Sequence, residues 1–245
     1  MTDRIVHLEG IFNYRDLGGL ETDHGTTTFK TVLRGESPHN LSPSALEQLL
    51  EMGVKTVIDL RSEAEILEHP NPLASQAGVS YHHIPLFAVL QQFSSGQEKT
   101  FPPLEMVYIG ALELCQDAIR QALTVVANSS HTTLLHCVAG KDRTGIISML
   151  LAGLQGATRA ALLSDYALTE QAQPLLERLR QDALEKGYDM TLFLSILSAK
   201  PETMQTVLDH LEQKHGGILG YVQNTLKLEP VILGLLLPQV QTAAR

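Results

Sequence analysis

The chain has little of what disulfide-rich, nucleic-acid-binding and membrane-spanning proteins require. It contains two cysteines and no tryptophan in 245 residues, which is too few cysteines for a disulfide framework. Its formal net charge is −9 and its lysines and arginines form no run, which argues against a nucleic-acid surface. No apolar stretch reaches the roughly 18 residues of a membrane span, and residues 1–10 lack the apolar core of a signal peptide. We therefore expect a cytoplasmic protein, with export without a cleaved signal left open.

The composition is that of an ordinary globular protein. Hydrophobic residues make up 44% of the chain and charged residues 18%, and the length suffices for one sizeable core. No repeat or low-complexity segment divides the chain, so we predict a single domain over residues 1–245.

Strand and helix patterns alternate in the first 155 residues. Strands are predicted at 54–60, 78–86 and 132–136, with helices at 41–53, 104–127 and 143–155 and a mobile loop at 87–103. Alternation of this kind predicts an α/β fold with a mostly parallel central sheet flanked by helices. Residues from about 158 to 240 are helical in pattern and predict an extra C-terminal helical layer. Whether that layer is plain core or a lid over the site is left open.

The most informative stretch is HCVAGKDRTG, residues 136–145, which crowds charges between two apolar runs. Such crowding is unfavourable unless an anion is bound there. A strand ending at His136 and a helix beginning near Arg143 would let the backbone N–H groups of Val138 to Arg143 surround the anion. The same surroundings favour the thiolate of Cys137.

Each further residue type in this stretch has a role in phosphoryl transfer. Arg143 offers a planar fork for two phosphoryl oxygens, while Gly140 permits a tight turn and Gly145 permits close packing of the helix start. Thr144 can donate a hydrogen bond to the Cys137 sulfur and improve it as a leaving group. The alternative is a strand-turn-helix connection with a buried structural cysteine and solvated charges.

The stretch resembles the signature loop of the cysteine-dependent tyrosine and dual-specificity phosphatases, and within them the bacterial tyrosine/phosphoinositide phosphatases whose loop reads HCxAGKDRTG. Further stretches agree with that family, so the resemblance covers residues from about 10 to 230. They are NYRDLGGL (13–20), VLRGESPHNLS (32–42), GVKTVIDLRSEAE (53–65), YHHIPL (81–86), SDYALT (164–169) and GGILGYVQNTLKL (216–228).

The resemblance implies a phosphatase α/β fold without a cofactor or metal ligand, with Cys137 as nucleophile and Arg143 as phosphate clamp. Val138, Ala139, Gly140, Lys141 and Asp142 would complete the phosphate-binding loop, supported by His136, Thr144 and Gly145. Lys141 is similar to lysines that accompany phosphoinositide acceptance. The implied partners are a phosphorylated protein or a phosphoinositide.

The general acid has two candidate locations. Related enzymes often carry an aspartate on a mobile loop, but residues 87–103 contain none and the chain has no tryptophan for a Trp-Pro-Asp loop. Asp142 is therefore the predicted acid, and a purely structural role for it stays open. Asp59 and Arg61 end a predicted strand beside the loop, where they either orient it or form a structural ion pair. The same two alternatives hold for Arg15 and Asp16.

Two other functions compete with an active phosphatase. A catalytically silent phosphate-binding module would explain the missing loop aspartate, but not the retained Cys137, Arg143 and Thr144. A sulfurtransferase would use Cys137 but gives no reason for Arg143 and Lys141. His82 and His83 point to opposite faces of a strand and cannot share a metal, and Cys115 is predicted to be a buried core thiol.

Overall fold

The computed structural model describes residues 4–86, 102–187 and 189–238, without the side chains of Leu192 and Ser195. Most of the predicted loop at 87–103 therefore lies outside the described residues. Within these ranges no helix is long and apolar enough to cross a membrane.

A six-stranded sheet forms the centre of the molecule, in the order β1-β2-β5-β8-β6-β7. The four strands from β5 to β7 in that order run parallel, while β1 and β2 form an antiparallel hairpin at one edge. The strands are β1 (Ile5–Leu8), β2 (Ile11–Asp16), β5 (Val32–Gly35), β6 (Val54–Asp59), β7 (Ser80–His83) and β8 (Thr132–His136); β3 (Glu21–Thr22) and β4 (Gly25–Thr26) form a separate hairpin. The predicted mostly parallel sheet is confirmed.

Helices cover both faces of this sheet. One face carries α1 (Pro43–Glu51) and the other carries most of the remaining helices, each face with its own apolar core. Beyond α1 they are α2 (Glu63–Glu68), α3 (Leu104–Leu114), α4 (Gln116–Asn128), α5 (Asp142–Leu154), α6 (Arg159–Ala167), α7 (Gln173–Glu185), α8 (Met190–Leu197), α9 (Pro201–His215), α10 (Gly217–Gly220) and α11 (Pro230–Leu236), with a π-helical turn at Tyr221–Thr225. The helices after residue 158 confirm the C-terminal helical layer.

The single helix predicted at residues 104–127 is two helices in the structure, α3 and α4. The helical pattern at 104–127 breaks at Cys115, whose φ of −108° and ψ of 30° lie outside the helical region. The break lets α3 pack on α9 while α4 packs on α11, so the two halves follow different neighbours. Cys115 itself is buried, as predicted.

Strand β8 is the centre of the architecture. It lies between β5 and β6, and its register pairs His136 with Gly35 on one side and with Asp59 on the other. All residues of β8 are buried, because both faces of a central parallel strand are covered. The next residue in the chain, Cys137, therefore lies at the middle of the carboxyl edge of the sheet.

Candidate active site

Residues 136–145, here called the cradle loop, connect β8 to α5 as the sequence predicted. Strand β8 ends at His136 and α5 begins at Asp142. Cys137 is the first residue of the connection and is 1% exposed. The N-terminal end of α5, with its unpaired N–H groups and positive dipole end, faces the same connection.

The carbonyl groups of the cradle loop are bound by donors outside the loop's concave side. The oxygens of residues 136 to 140 accept hydrogen bonds in turn from Leu60 N (2.9 Å), His136 Nδ1 (3.1 Å), Ser37 N (2.9 Å), Asn13 Nδ2 (2.7 Å) and Arg34 Nη2 (2.7 Å). None of the N–H groups of residues 138–143 donates to an acceptor in the described parts of the chain. Those N–H groups, together with the helix start, are available to an anion.

Gly140 is required by the shape of the loop. Its φ is +69°, which strains any residue with a Cβ, and a Cβ there would lie 2.3 Å from the carbonyl carbon of Gly35. Gly145 differs, because an added Cβ would meet Tyr166 at 3.4 Å, an ordinary contact. The predicted need for glycine therefore has a steric basis at Gly140 but not at Gly145.

Arg143 is held by a residue that the sequence did not single out. Its Nη1 and Nη2 donate to the two oxygens of Glu65, each at 2.7 Å. Burial alone would lower the pKa of Arg143, but its hydrogen bonds to Glu65 and the charges of Cys137 and Glu65 raise it above its usual value. Burial would likewise raise the pKa of Glu65, yet Arg143 and Ser62 lower it to about 2. The guanidinium is thus fixed beside the loop in its charged form.

In the sequence, Glu65 has the signature of a helix cap. Its carboxylate accepts from Ser62 N and the Ser62 hydroxyl accepts from Glu65 N, which makes a capping box at the start of α2. The Ser-Glu-Ala-Glu pattern therefore predicts a helix start, and only the fold brings Arg143 to it.

The side chains of Asp142 and Lys141 contact each other but have different further hydrogen-bond partners. Tyr108 donates its hydroxyl hydrogen to Asp142 Oδ1, and Tyr166 lies 2.8 Å from the Tyr108 oxygen. Burial first, and then the charge of Asp142, raise the pKa of Tyr108 well above its usual value, so this phenol remains a donor. The Asp142 side chain is 30% exposed, which leaves its second oxygen accessible.

The ammonium group of Lys141 is engaged by the C-terminal helical layer. It is 2% exposed and donates to the backbone carbonyls of Ile196 and Ser198, with Asp142 Oδ1 at 3.1 Å. The phosphate-binding role that the resemblance implies for Lys141 stays a prediction. In the structure, its hydrogen bonds to α8 and the residue after that helix connect the cradle loop to the helical layer.

Three arginines around Asp165 support the loop from behind. The buried Asp165 carboxylate pairs with Arg34 (2.6 Å), Arg15 (3.2 Å) and Arg4. Arg34 in turn donates to Gly140 O, while Arg15 holds the Asn13 side chain that donates to Ala139 O. Burial would raise the pKa of Asp165, but the arginine charges lower it below its usual range. Arg15 therefore has an orienting position.

Asp16 does not hold the cradle loop as Arg15 does. Its two oxygens accept from Gly18 N and Lys30 N at 2.7 and 2.9 Å, which stabilises the loop that follows β2. Of the two alternatives for Arg15 and Asp16, the orienting geometry applies to the first residue only.

Asp59 and Arg61 form a buried ion pair of 2.7 Å behind His136. Burial would raise the pKa of Asp59, but the hydrogen bonds from Arg61 and its positive charge lower it below its usual range. His136 is fully buried, which lowers its pKa, and its Nδ1 must carry the proton because it contacts the carbonyl oxygen of Cys137. The neutral ring then accepts from Asn71 at Nε2, 2.9 Å away. The pair acts on the loop through His136 and is itself closed to solvent.

The Thr144 hydroxyl has no hydrogen-bond partner in the described parts of the chain, although it is buried. Its predicted bond to the Cys137 sulfur stays a prediction. His82 contacts Ser80 and His83 contacts the carbonyl of Arg61, so these two histidines have separate partners.

Comparison with known proteins gives consistent results. A family model described as the tyrosine phosphatase family matches residues 6–236. A tyrosine-protein phosphatase of Nostoc commune is 33% identical over 131 residues, which are 53% of this chain and 45% of that protein. A putative tyrosine-protein phosphatase of Cupriavidus necator is 26% identical over 89% of this chain and 83% of its own length. The triple specificity protein phosphatase PtpB of Mycobacterium tuberculosis is 20% identical over 90% and 93% of the two chains. The match therefore spans under half of the first relative and most of the other two.

Proposed function

The chain belongs to the tyrosine phosphatase family, and from this premise we propose that it hydrolyses phosphate monoesters through a phosphocysteine intermediate on Cys137. The observation that carries the proposal is the cradle loop. The carbonyl groups of residues 136–140 already accept hydrogen bonds, the N–H groups of residues 138–143 donate to no acceptor in the described parts of the chain, and Cys137 is the first residue after β8.

In the first step the Cys137 thiolate attacks phosphorus and the bond from phosphorus to the leaving oxygen breaks. The three non-bridging oxygens are held by the N–H groups of residues 138–143 and by Arg143. Donors fixed before the reaction stabilise the transition state because they need no reorganisation, and each is worth about 10²–10³ in rate. Asp142 gives its proton to the departing oxygen.

In the second step water attacks the phosphocysteine and Cys137 leaves as a thiolate. Asp142, now ionised, accepts the proton of that water, so the enzyme returns to its starting state with inorganic phosphate released. Tyr108 and Lys141 occupy Asp142 Oδ1, which leaves Oδ2 for both proton transfers. The Thr144 hydroxyl is the proposed donor to the leaving sulfur.

Phosphotyrosine is the first proposed substrate. A phenolate leaves with a pKa of about 10 and needs less help from an acid than an alkoxide of serine or inositol. Phosphoserine, phosphothreonine and phosphoinositides are further proposed substrates. Similarity to the triple specificity phosphatase supports them, as does a rice inositol diphosphatase that is 28% identical over 58% of this chain and 59% of its own length.

Lys141 decides how far phosphoinositides are accepted. To meet a second phosphate its ammonium must leave the carbonyls of Ile196 and Ser198. We propose that the lysine contributes to inositol phosphates only when α8 moves away. Comparing kcat/KM for a phosphotyrosine peptide, a phosphoserine peptide and phosphoinositides in the parent and in Lys141→Ala measures this contribution.

The function is tested by turnover of p-nitrophenyl phosphate in EDTA. We expect turnover to persist in the chelator, to disappear in Cys137→Ser and to fall steeply in Arg143→Lys, because a point charge cannot replace the planar fork. Phosphate binding without turnover in the parent protein would instead identify a phosphate-binding module. Full activity in Cys137→Ser would overturn the mechanism.

A further inference from the structure

A second cluster of chemically capable side chains lies between α3, α9 and the π-helical turn. Glu113 Oε1 is 2.9 Å from His210 Nε2 and 2.9 Å from His215 Nε2, and the three donor atoms lie within 4.8 Å of one another. Glu113 is the second-last residue of α3, His215 is the last residue of α9 and His210 lies five residues before it. We propose that Glu113, His210 and His215 bind a divalent transition-metal ion, and that the ion this donor set suits best is zinc.

The donor set is chemically suited to that ion. Zinc binds imidazole nitrogen and carboxylate oxygen, and sites with two histidines and one glutamate leave the fourth tetrahedral position for water. Bonds of about 2.0 Å to an ion at tetrahedral angles put neighbouring donor atoms about 3.3 Å apart. The two contacts of 2.9 Å therefore need to open by only about 0.4 Å.

The ring of His215 is oriented as that of a metal ligand is. Its second nitrogen, Nδ1, lies 2.8 Å from the Thr225 hydroxyl, and Tyr221 packs edge-on against the ring with 5.0 Å between centroids. Metal-binding histidines commonly have their other nitrogen fixed by such a partner, which sets the tautomer and the ring direction. When an ion binds, Nδ1–H donates to the Thr225 hydroxyl and the lone pair of Nε2 is directed at the ion, in place of the Nε2–H that otherwise donates to Glu113 Oε1.

The site is reachable and leaves room for an ion. The Glu113 and His210 side chains are 24% and 22% exposed, whereas that of His215 is 8% exposed. Lys214 pairs with the other carboxylate oxygen, Oε2, at 2.9 Å, so it does not occupy the oxygen that faces the histidines. Its side chain is 53% exposed and can turn away into solvent when the ion binds.

The proposed ion is separate from the chemistry at Cys137. Glu113 lies five residues beyond Tyr108 on α3, about 7.5 Å farther along the helix axis. Zinc would connect the end of α3 to the end of α9 and would thereby brace the helix whose Tyr108 contacts Asp142. The ion has a structural role and takes no part in phosphoryl transfer.

The test measures metal binding directly, in full-length Cys137→Ser protein, which removes the active-site sulfur as a zinc ligand. We expect one zinc per chain in competition with a chromophoric chelator. With Co²⁺ we expect the visible bands of a four-coordinate site without a sulfur charge-transfer band. Glu113→Gln and His210→Ala should weaken zinc binding by more than about a hundredfold, and Thr225→Val by about tenfold. His24→Ala, which removes an exposed histidine elsewhere, should change nothing.

Two results would overturn the proposal. One is a folded Cys137→Ser protein that takes up no zinc from the chelator. The other is a zinc affinity of Cys137→Ser protein that stays the same when Glu113→Gln or His210→Ala is added to it. The His210 side chain is 22% exposed, so its replacement should keep the fold, and circular dichroism of each variant verifies this. In thermal unfolding, zinc should raise the midpoint of Cys137→Ser and leave that of Cys137→Ser with Glu113→Gln unchanged.

Discussion

Arg143 and Glu65 meet end to end, with each terminal nitrogen of the guanidinium 2.7 Å from a different carboxylate oxygen. This pairing commits one N–H of Nη1 and one of Nη2. The second N–H of Nη1 is directed at Leu60 O, 3.4 Å away. The Nε–H and the second N–H of Nη2 remain, and together they form the other fork of the guanidinium. In the proposed mechanism, Glu65 therefore determines which side of Arg143 faces the phosphoryl group.

Glu65→Gln tests this arrangement. The amide keeps one hydrogen bond but turns an N–H group toward the guanidinium, so Arg143 loses its fixed orientation. We expect kcat/KM for p-nitrophenyl phosphate to fall by roughly 10–100-fold, with weaker inhibition by inorganic phosphate. Glu63→Gln, an exposed position in the same first turn of α2, is the matched control and should be unchanged. Equal kinetics of the two variants would contradict the role assigned to Glu65.

Gly140→Ala separates backbone strain from steric overlap when it is compared with Gly187→Ala. The two glycines have φ values of +69° and +71°, but a Cβ at Gly187 meets nothing within 4 Å. Gly187→Ala should therefore cost only about 1–2 kcal/mol of unfolding free energy and keep full activity. Gly140→Ala should cost about 2–5 kcal/mol and lose most turnover, because the new methyl displaces the loop from Gly35. Urea unfolding and kcat measure the two effects, and an active Gly140→Ala protein would contradict the close fit.

Asp142→Asn tests the acid with a series of leaving groups. An amide cannot give a proton to the departing oxygen. The value of kcat/KM should therefore fall most for substrates whose leaving alcohols are weak acids. We expect kcat/KM to fall about 10²–10⁴-fold for an alkyl phosphate and much less for p-nitrophenyl phosphate. Tyr108→Phe keeps the carboxyl group but removes its hydrogen bond. We expect it to lower kcat/KM for both substrates by a similar factor, smaller than the loss of alkyl phosphate turnover in Asp142→Asn. A uniform loss across the series in Asp142→Asn would assign the acid elsewhere.

The stability of the protein should decline at acid pH because its carboxylates are paired. Arg143 and Ser62 lower the pKa of Glu65 to about 2 from 4.5, and arginine charges lower that of Asp165. Between about pH 4.5 and pH 2 the unfolded chain takes up protons that the native state does not. The unfolding free energy should therefore hold above pH 5 and fall as the pH drops through this window.

Asp165→Asn tests the contribution of one buried carboxylate to that decline. Removing a buried carboxylate from among Arg4, Arg15 and Arg34 should cost about 3–5 kcal/mol at pH 7, and the variant should lose less stability below pH 4.5 than the parent. Urea unfolding followed by circular dichroism measures both, since the chain has no tryptophan. Asp182→Asn, at an exposed position of α7, should follow the parent at every pH. Equal dependence of the unfolding free energy on pH in the parent and in Asp165→Asn would refute this role of Asp165.

The parts of the site that are local in the chain were predictable from the sequence. The apolar run of β8, the glycine-containing connection and the start of α5 are adjacent, so the position of Cys137 at the end of a buried strand followed from pattern alone. The contacts that hold the loop join residues far apart, such as Glu65 and Arg143, 78 positions apart. Composition and spacing carry no signal for such pairs.

Two interpretations depended on surroundings that the sequence does not contain. The resemblance implied that Lys141 favours substrates with more than one phosphate, and that stays a prediction; the carbonyl acceptors that α8 and Ser198 supply to its ammonium group are brought there only by the fold. The helical pattern at 104–127 predicted one helix because Cys115 is compatible with helical periodicity. The different neighbours of α3 and α4 impose the break. Glu113, His210 and His215 also meet only because two helix ends converge.

The most direct test of the central claim is a search for phosphate covalently bound to Cys137. The parent protein is mixed with p-nitrophenyl phosphate, quenched in acid during turnover and digested, and its peptides are analysed by mass spectrometry. We expect one phosphoryl group on the sulfur of Cys137, more of it in Asp142→Asn because that carboxylate activates the attacking water in the proposed mechanism, and none in Cys137→Ser. Steady turnover with no phosphocysteine at any quench time, or with phosphate on another residue, would contradict it.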